Sequence, residues 1–125
     1  MITLSKEQVK RLHVKMIEAT GGPDGVRNEH LLNSALASAF QTFDNVELYP
    51  TDIAKIARIT YSLVCNHPFV DGNKRIGTYV MLVLLELNYI ETDFTDDDII
   101  RIGLELADGQ MDYEQLLRLI LERIV

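Results

Sequence analysis

Apolar residues along the chain recur at helical intervals, and the breaks between the runs carry capping and turn residues. Ser5, with Gln8 three positions later, forms a pair in which each side chain can satisfy the other's free backbone N–H. Val9, Leu12, Met16 and Ile17 then fall on one helix face. Gly21-Gly22-Pro23 ends that helix, because glycine accepts left-handed dihedrals and proline cannot continue the hydrogen-bond ladder. Pro23 to Arg27 reads as a loop, and Asn28 caps a second helix with Leu31, Leu32, Ala35, Leu36 and Ala39 on one face. FDNVELYP, from Phe43 to Pro50, mixes turn residues with short β-favouring ones and predicts an exposed loop or small hairpin.

Thr51 and Asp52 cap a third amphipathic helix carrying Ile53, Ile56, Ala57, Thr60, Tyr61 and Val64. It runs to Asn66 and is stopped by Pro68, which pushes the residue before it out of the helical region. A fourth helix begins near Gly72 or Asn73, and its almost wholly apolar stretch from Tyr79 to Leu87 predicts the buried centre of the domain. Thr95 followed by Asp96, Asp97 and Asp98 starts a fifth, with carboxylates at the positive end of the helix dipole. Ile99, Ile100, Ile102, Leu104 and Leu106 follow before Gly109. Asp112 with Gln115 opens the last helix, carrying Leu116, Leu117, Leu119, Ile120 and Ile124. The expected fold is all-α, a compact bundle of about six helices around a central apolar one.

A length of 125 residues fits one domain spanning 1–125, and 47% hydrophobic with 25% charged residues is an ordinary globular balance. The net charge of -7 disfavours direct nucleic-acid binding, which depends on Lys and Arg neutralising phosphates. The stretch from Ile76 to Ile90 is too short and too interrupted for a bilayer span, so no membrane association is expected. Cys65 is the single cysteine, which suits a reducing cytoplasm, and MITLSKEQVK does not read as a secretory signal.

Within this acidic chain, residues 67 to 77, HPFVDGNKRIG, stand apart. Lys74 and Arg75 occupy the first turn of the fourth helix, where the dipole disfavours cations by roughly 0.3–1 kcal/mol each. A bound anion reverses that sign. Gly72 permits a sharp turn, and the free N–H groups of the first turn form a concave anion cradle. His67 and Asp71 on the entering loop add an imidazole able to take a proton near neutrality and a carboxylate able to hold Mg²⁺. That inventory suits transfer of a phosphorus-centred group to a hydroxyl. Cys65 lies on the apolar third helix without an orienting partner and does not read as a nucleophile. His13 and His30 read as packing or surface residues, and Asp96 to Asp98 as helix capping.

HPFVDGNKRIG closely resembles the Fic/Doc motif, H-P-F-x-D/E-G-N-G/K-R, and is most similar to the death-on-curing (Doc) toxin branch, in which lysine occupies the second glycine position. GVRNEHLLNSALASAFQTF and LYPT ahead of it resemble the usual lead-in of that branch, so the likeness covers nearly the whole chain. The resemblance implies the Fic fold, with His67 as general base, Asp71 as Mg²⁺ ligand, and Gly72, Asn73 and Lys74 as a cradle whose backbone holds a nucleotide phosphate. It further implies Arg75 as a partner of phosphate oxygens, Phe69 as the core anchor of the loop, and FDNVELYP as a flap that positions the target peptide.

Adenylyl-transferring Fic enzymes typically have glycine where Lys74 stands and arginine where this chain has Thr78. Those departures favour nucleotide bound in the opposite sense, with the γ-phosphate of ATP facing the acceptor. The resemblance thus implies a kinase-like toxin, dependent on Mg²⁺ and ATP, that modifies a translation elongation factor and arrests growth. Adenylylation of a protein hydroxyl and a catalytically silent nucleotide- or peptide-binding module are the alternatives. No S/T-x-x-x-E-G/N pattern of the internal inhibitory helix occurs in the chain, so restraint is expected from a separate antitoxin protein acting in trans.

Overall fold

A computed structural model describes all 125 residues, Met1–Val125. Six α-helices make up the chain: α1 Lys6–Thr20, α2 Glu29–Ala37, α3 Asp52–Asn66, α4 Asn73–Leu87, α5 Asp96–Asp108 and α6 Tyr113–Glu122. A 3₁₀ turn, Ser38–Phe40, follows α2, and a small antiparallel hairpin, β1 Thr42–Phe43 and β2 Val46–Glu47, precedes α3. The helix starts obey their capping residues. Ser5–Gln8, Thr95–Asp98 and Asp112–Gln115 close reciprocal capping boxes, while Asn28 and Thr51 each accept one backbone N–H.

The hairpin turn places Asp44 at φ 52° and Asn45 at φ 64°. Two consecutive left-handed residues give the twist that two-residue hairpins require, and Asp and Asn tolerate it better than other side chains do. Phe43 and Val46 project into solvent, and the hairpin is tied down from below by buried Lys55 of α3, which reaches Glu47 at 3.0 Å and the Tyr49 carbonyl.

The core is one cluster in which α3 and α4 pack against each other and α1, α2, α5 and α6 surround them. Gly77 sets the distance between the central pair: a Cβ there would lie 2.5 Å from Val64 Cγ2. Gly103 similarly lets α5 approach the first turn of α4, where a Cβ would meet that of Lys74 at 3.3 Å.

Three expectations require correction. The apolar run from Tyr79 to Leu87 is not buried all round, since Tyr79, Leu82 and Leu87 face solvent; only Val80, Met81, Leu84 and Leu85 enter the core, at the period of one helix face. Ala39 belongs to the 3₁₀ turn rather than α2, which lets Ser38 Oγ turn inward to Ser62 Oγ at 3.0 Å. Ile124 lies beyond α6 and forms an isolated bridge with Thr92. No helix is long and apolar enough to cross a membrane.

Candidate active site

The end of α3 and the start of α4 face each other across the six-residue loop 67–72. Pro68 forbids α3 from continuing, and His67 takes the left-handed conformation, φ 50° and ψ 55°, as its C-cap. A non-glycine residue there costs about 1–2 kcal/mol, so surrounding contacts must hold it. Arg27 supplies them: its Nε donates to the His67 carbonyl at 2.8 Å and its Nη2 to the Asn66 carbonyl at 3.1 Å. A guanidinium at a helix C-terminus also opposes the negative end of the dipole. The segment around it zips onto the motif loop, with the Arg27 and Asn28 N–H groups donating to Pro68 O, the Val70 N–H to Gly25 O, and a bridge between Val26 and Phe69.

The other end of the loop is closed by Asn73, whose Oδ1 accepts from the Phe69 N–H at 2.9 Å and whose Nδ2 donates to the Phe69 carbonyl at 3.0 Å. This amide therefore fixes the loop and is not free for a ligand. Phe69 itself is 1% exposed and lies in the core beneath the loop. Gly72 caps α4 at φ 79°, and a side chain there would strike the Met16 methyl at 2.8 Å. The first intrahelical bond of α4 runs from the Ile76 N–H to Gly72 O. The amides of Asn73, Lys74 and Arg75 thus head the helix without ladder partners, as an anion cradle needs.

His67, Val70, Asp71, Gly72, Asn73, Lys74 and Arg75 line one cavity of about 380 Å³. All six polar or glycine positions predicted for catalysis, metal and phosphate therefore come together, and Phe69 lies directly behind them. Lys74 is exposed, with its ammonium free to reach the cavity mouth. Arg75 is half-buried and bonded to Asp71 Oδ2 at 3.3 Å and to the Thr20 hydroxyl of α1. Asp71 Oδ1 takes no hydrogen bond from the protein, leaving one carboxylate oxygen for a cation. No cluster of three or more His, Cys, Asp and Glu side chains surrounds it. A lone carboxylate next to a phosphate cradle suits Mg²⁺, which commonly binds through one or two carboxylates and substrate phosphates.

Thr78 is 5% exposed, and its hydroxyl donates back to the carbonyls of Lys74 and Arg75 at 3.1 Å. It offers no cation to a phosphate. At Cys65 burial pushes the thiol pKa up, and Sγ donates to the Leu106 carbonyl at 3.6 Å, an environment that disfavours the thiolate. Asp98 is the capping residue expected, held well below the usual carboxylate range first by the Arg123 guanidinium and then by the Thr95 N–H.

Two residues outside the expected set shape the site. Arg27 ends the stretch that reads from the sequence as a loop, and its partners lie 40 and 39 residues away. His13, which reads from the sequence as a packing or surface residue, is buried against the motif, stacked on Phe69 with ring centroids 3.9 Å apart and an interplanar angle of 11°.

The sequence model of the Fic/DOC family matches residues 3–85, from α1 through most of α4. The chain is also similar to Toxin Doc of Mycolicibacterium smegmatis, 33% identical over 100 residues, which cover 78% of this chain and 77% of that protein. With the motif seated between two helix ends and the match running through it, this chain is a member of the Fic/Doc family.

Proposed function

We propose that this protein is a Doc-like toxin that transfers the γ-phosphate of ATP to a hydroxyl of a protein used in translation, an elongation factor being the expected target. The observation that carries this reading is the cavity in which His67 stands across from the open N-terminus of α4, with Lys74 at 74 and no arginine at 78.

In this scheme the amides of Asn73 to Arg75 and the Lys74 ammonium hold the phosphate oxygens. Arg75 joins them or keeps Asp71 in place. The His67 imidazole accepts the proton of the acceptor hydroxyl as its oxygen bonds to the γ-phosphorus. The bond from that phosphorus to the bridging oxygen breaks, and ADP leaves with the electron pair. Asp71 would hold Mg²⁺, which when bound would neutralise charge on the phosphate oxygens. The exposed hairpin, with Phe43 and Val46 outermost, lies in the segment expected to position the target chain. The relative's name, Toxin Doc, supports a growth-arresting role and hence an antitoxin acting in trans.

Incubating the protein with ATP, Mg²⁺ and a cell extract, then weighing the proteins of the extract, tests the reading. An added phosphoryl group on one translation protein is the expected result. An added adenylyl group would replace it with Fic-type transfer, and an unmodified extract would leave a silent binding module.

A further inference from the structure

Asp71 is held from outside the motif by the first helix. His13, on α1, is 1% exposed, and its Nε2 lies 2.7 Å from the Asp71 backbone carbonyl, 58 residues away. A carbonyl oxygen only accepts, so Nε2 carries the hydrogen and donates it. The opposite nitrogen, Nδ1, faces Asp24 Oδ1 at 3.6 Å. The same ring stacks on Phe69, two residues before Asp71. His13 thus grips the Phe69–Asp71 segment at both ends, by its flat face and by one polar atom. Packing alone needs the face and has no use for the donor.

The neighbourhood is built around the same carboxylate. A Cβ at Gly22, in the loop following α1, would crowd Asp71 Oδ2, and Thr20 binds the Arg75 that pairs with that oxygen. We propose that His13 is a positioning residue for the phosphate and metal site: through the Asp71 carbonyl it fixes the aim of the Asp71 carboxylate and the turn into the cradle. Outer partners of this kind typically change metal affinity or activity by roughly 10–100-fold when removed. The inference rests on the nucleotide site proposed above.

Two variants of the full chain separate the roles of the ring. His13→Phe keeps the stack and removes the donor; His13→Gln removes the stack and keeps an N–H at similar reach. Titration calorimetry with ATP, in Mg²⁺ and in chelator, reads the gain in affinity that Mg²⁺ confers. That gain is expected to fall about tenfold or more in His13→Phe and to return to within about threefold of the parent in His13→Gln. Equal gains in parent and His13→Phe, or equal losses in both variants, would overturn the proposal.

The parent protein gives a second reading that needs no variant to fold. Its His13 Nε2 proton, observed by NMR, should shift when Mg²⁺ and ATP are added together, and an unchanged signal counts against the inference. Should the parent bind Mg²⁺ with ATP yet transfer adenylyl, the phosphoryl reading fails while the His13 comparison stands. A parent without affinity for ATP ends both.

Discussion

Gly21 and Gly22 offer a controlled experiment on the site, because they are adjacent, both at positive φ, and differ in what lies beside them. Gly21 has φ +85° with nothing within 4 Å of an ideal Cβ; Gly22 has φ +107°, and its Cβ would come closer than 3.0 Å to Asp71 Oδ2. Gly21→Ala and Gly22→Ala each incur the cost of a side chain at positive φ, about 1–3 kcal/mol. In Gly22→Ala the Asp71 oxygen must also retreat by about 1 Å to reach ordinary contact at 3.4 Å. That oxygen ends a flexible, half-exposed side chain, and its 3.3 Å pair with Arg75 is worth about 0–1 kcal/mol at such exposure. The two variants should therefore melt within a few degrees of each other, both roughly 3–15 °C below the parent.

Activity should separate them. Gly21→Ala keeps the parent's rate of transfer from ATP, whereas Gly22→Ala loses roughly ten- to a hundred-fold, the scale of a small misplacement at a reacting centre. Thermal melts by circular dichroism and phosphate incorporation into the target are the paired assays. If both variants transferred alike, the placement of Asp71 would be irrelevant to the chemistry and the argument built on it would fail.

His67→Asn should abolish transfer and leave the melting temperature nearly unchanged, since asparagine tolerates the left-handed cap that histidine occupies; loss of both would mean that the ring is structural. Gly77→Ala should destabilise by about 1–3 kcal/mol through overpacking against Val64, and urea denaturation of the double variant with Val64→Ala should be non-additive by at least about 0.5 kcal/mol. Asp98 has a folded pKa lowered from 3.8, so its contribution is present above that value and is lost as pH falls below it. Asp98→Asn should accordingly flatten the decline of stability below about pH 4, measured as urea midpoints across pH.

The helices, their caps and the motif could be read in advance because each depends on neighbours within a few residues. Ser5 needs only Gln8, and Thr95 needs only Asp98. The cavity was legible for the same reason, since residues 67 to 75 fall on one loop and one helical turn. His13 and Arg27 escaped because their partners are 58 and 40 residues distant in the chain, and no local period distinguishes a histidine packed on aliphatic side chains from one packed on the active loop. The exposure of Tyr79 and Leu82 was hidden in a different way. An apolar helix looks the same in sequence whether it is covered on all sides or on one, and which sides are covered is decided by α1, α3 and α5.

α4 begins in the cavity and passes at once into the interior, with Ile76, Gly77 and Thr78 already buried in its first two turns. The amides proposed to hold phosphate thus stand on one of the two central helices of the core, with no hinge behind them that could yield while the rest stays intact. Loss of catalytic competence on heating and collapse of the whole molecule should be a single event. Anything that restrains such a site cannot loosen it locally; it has to cover the opening or dispose of the entire fold.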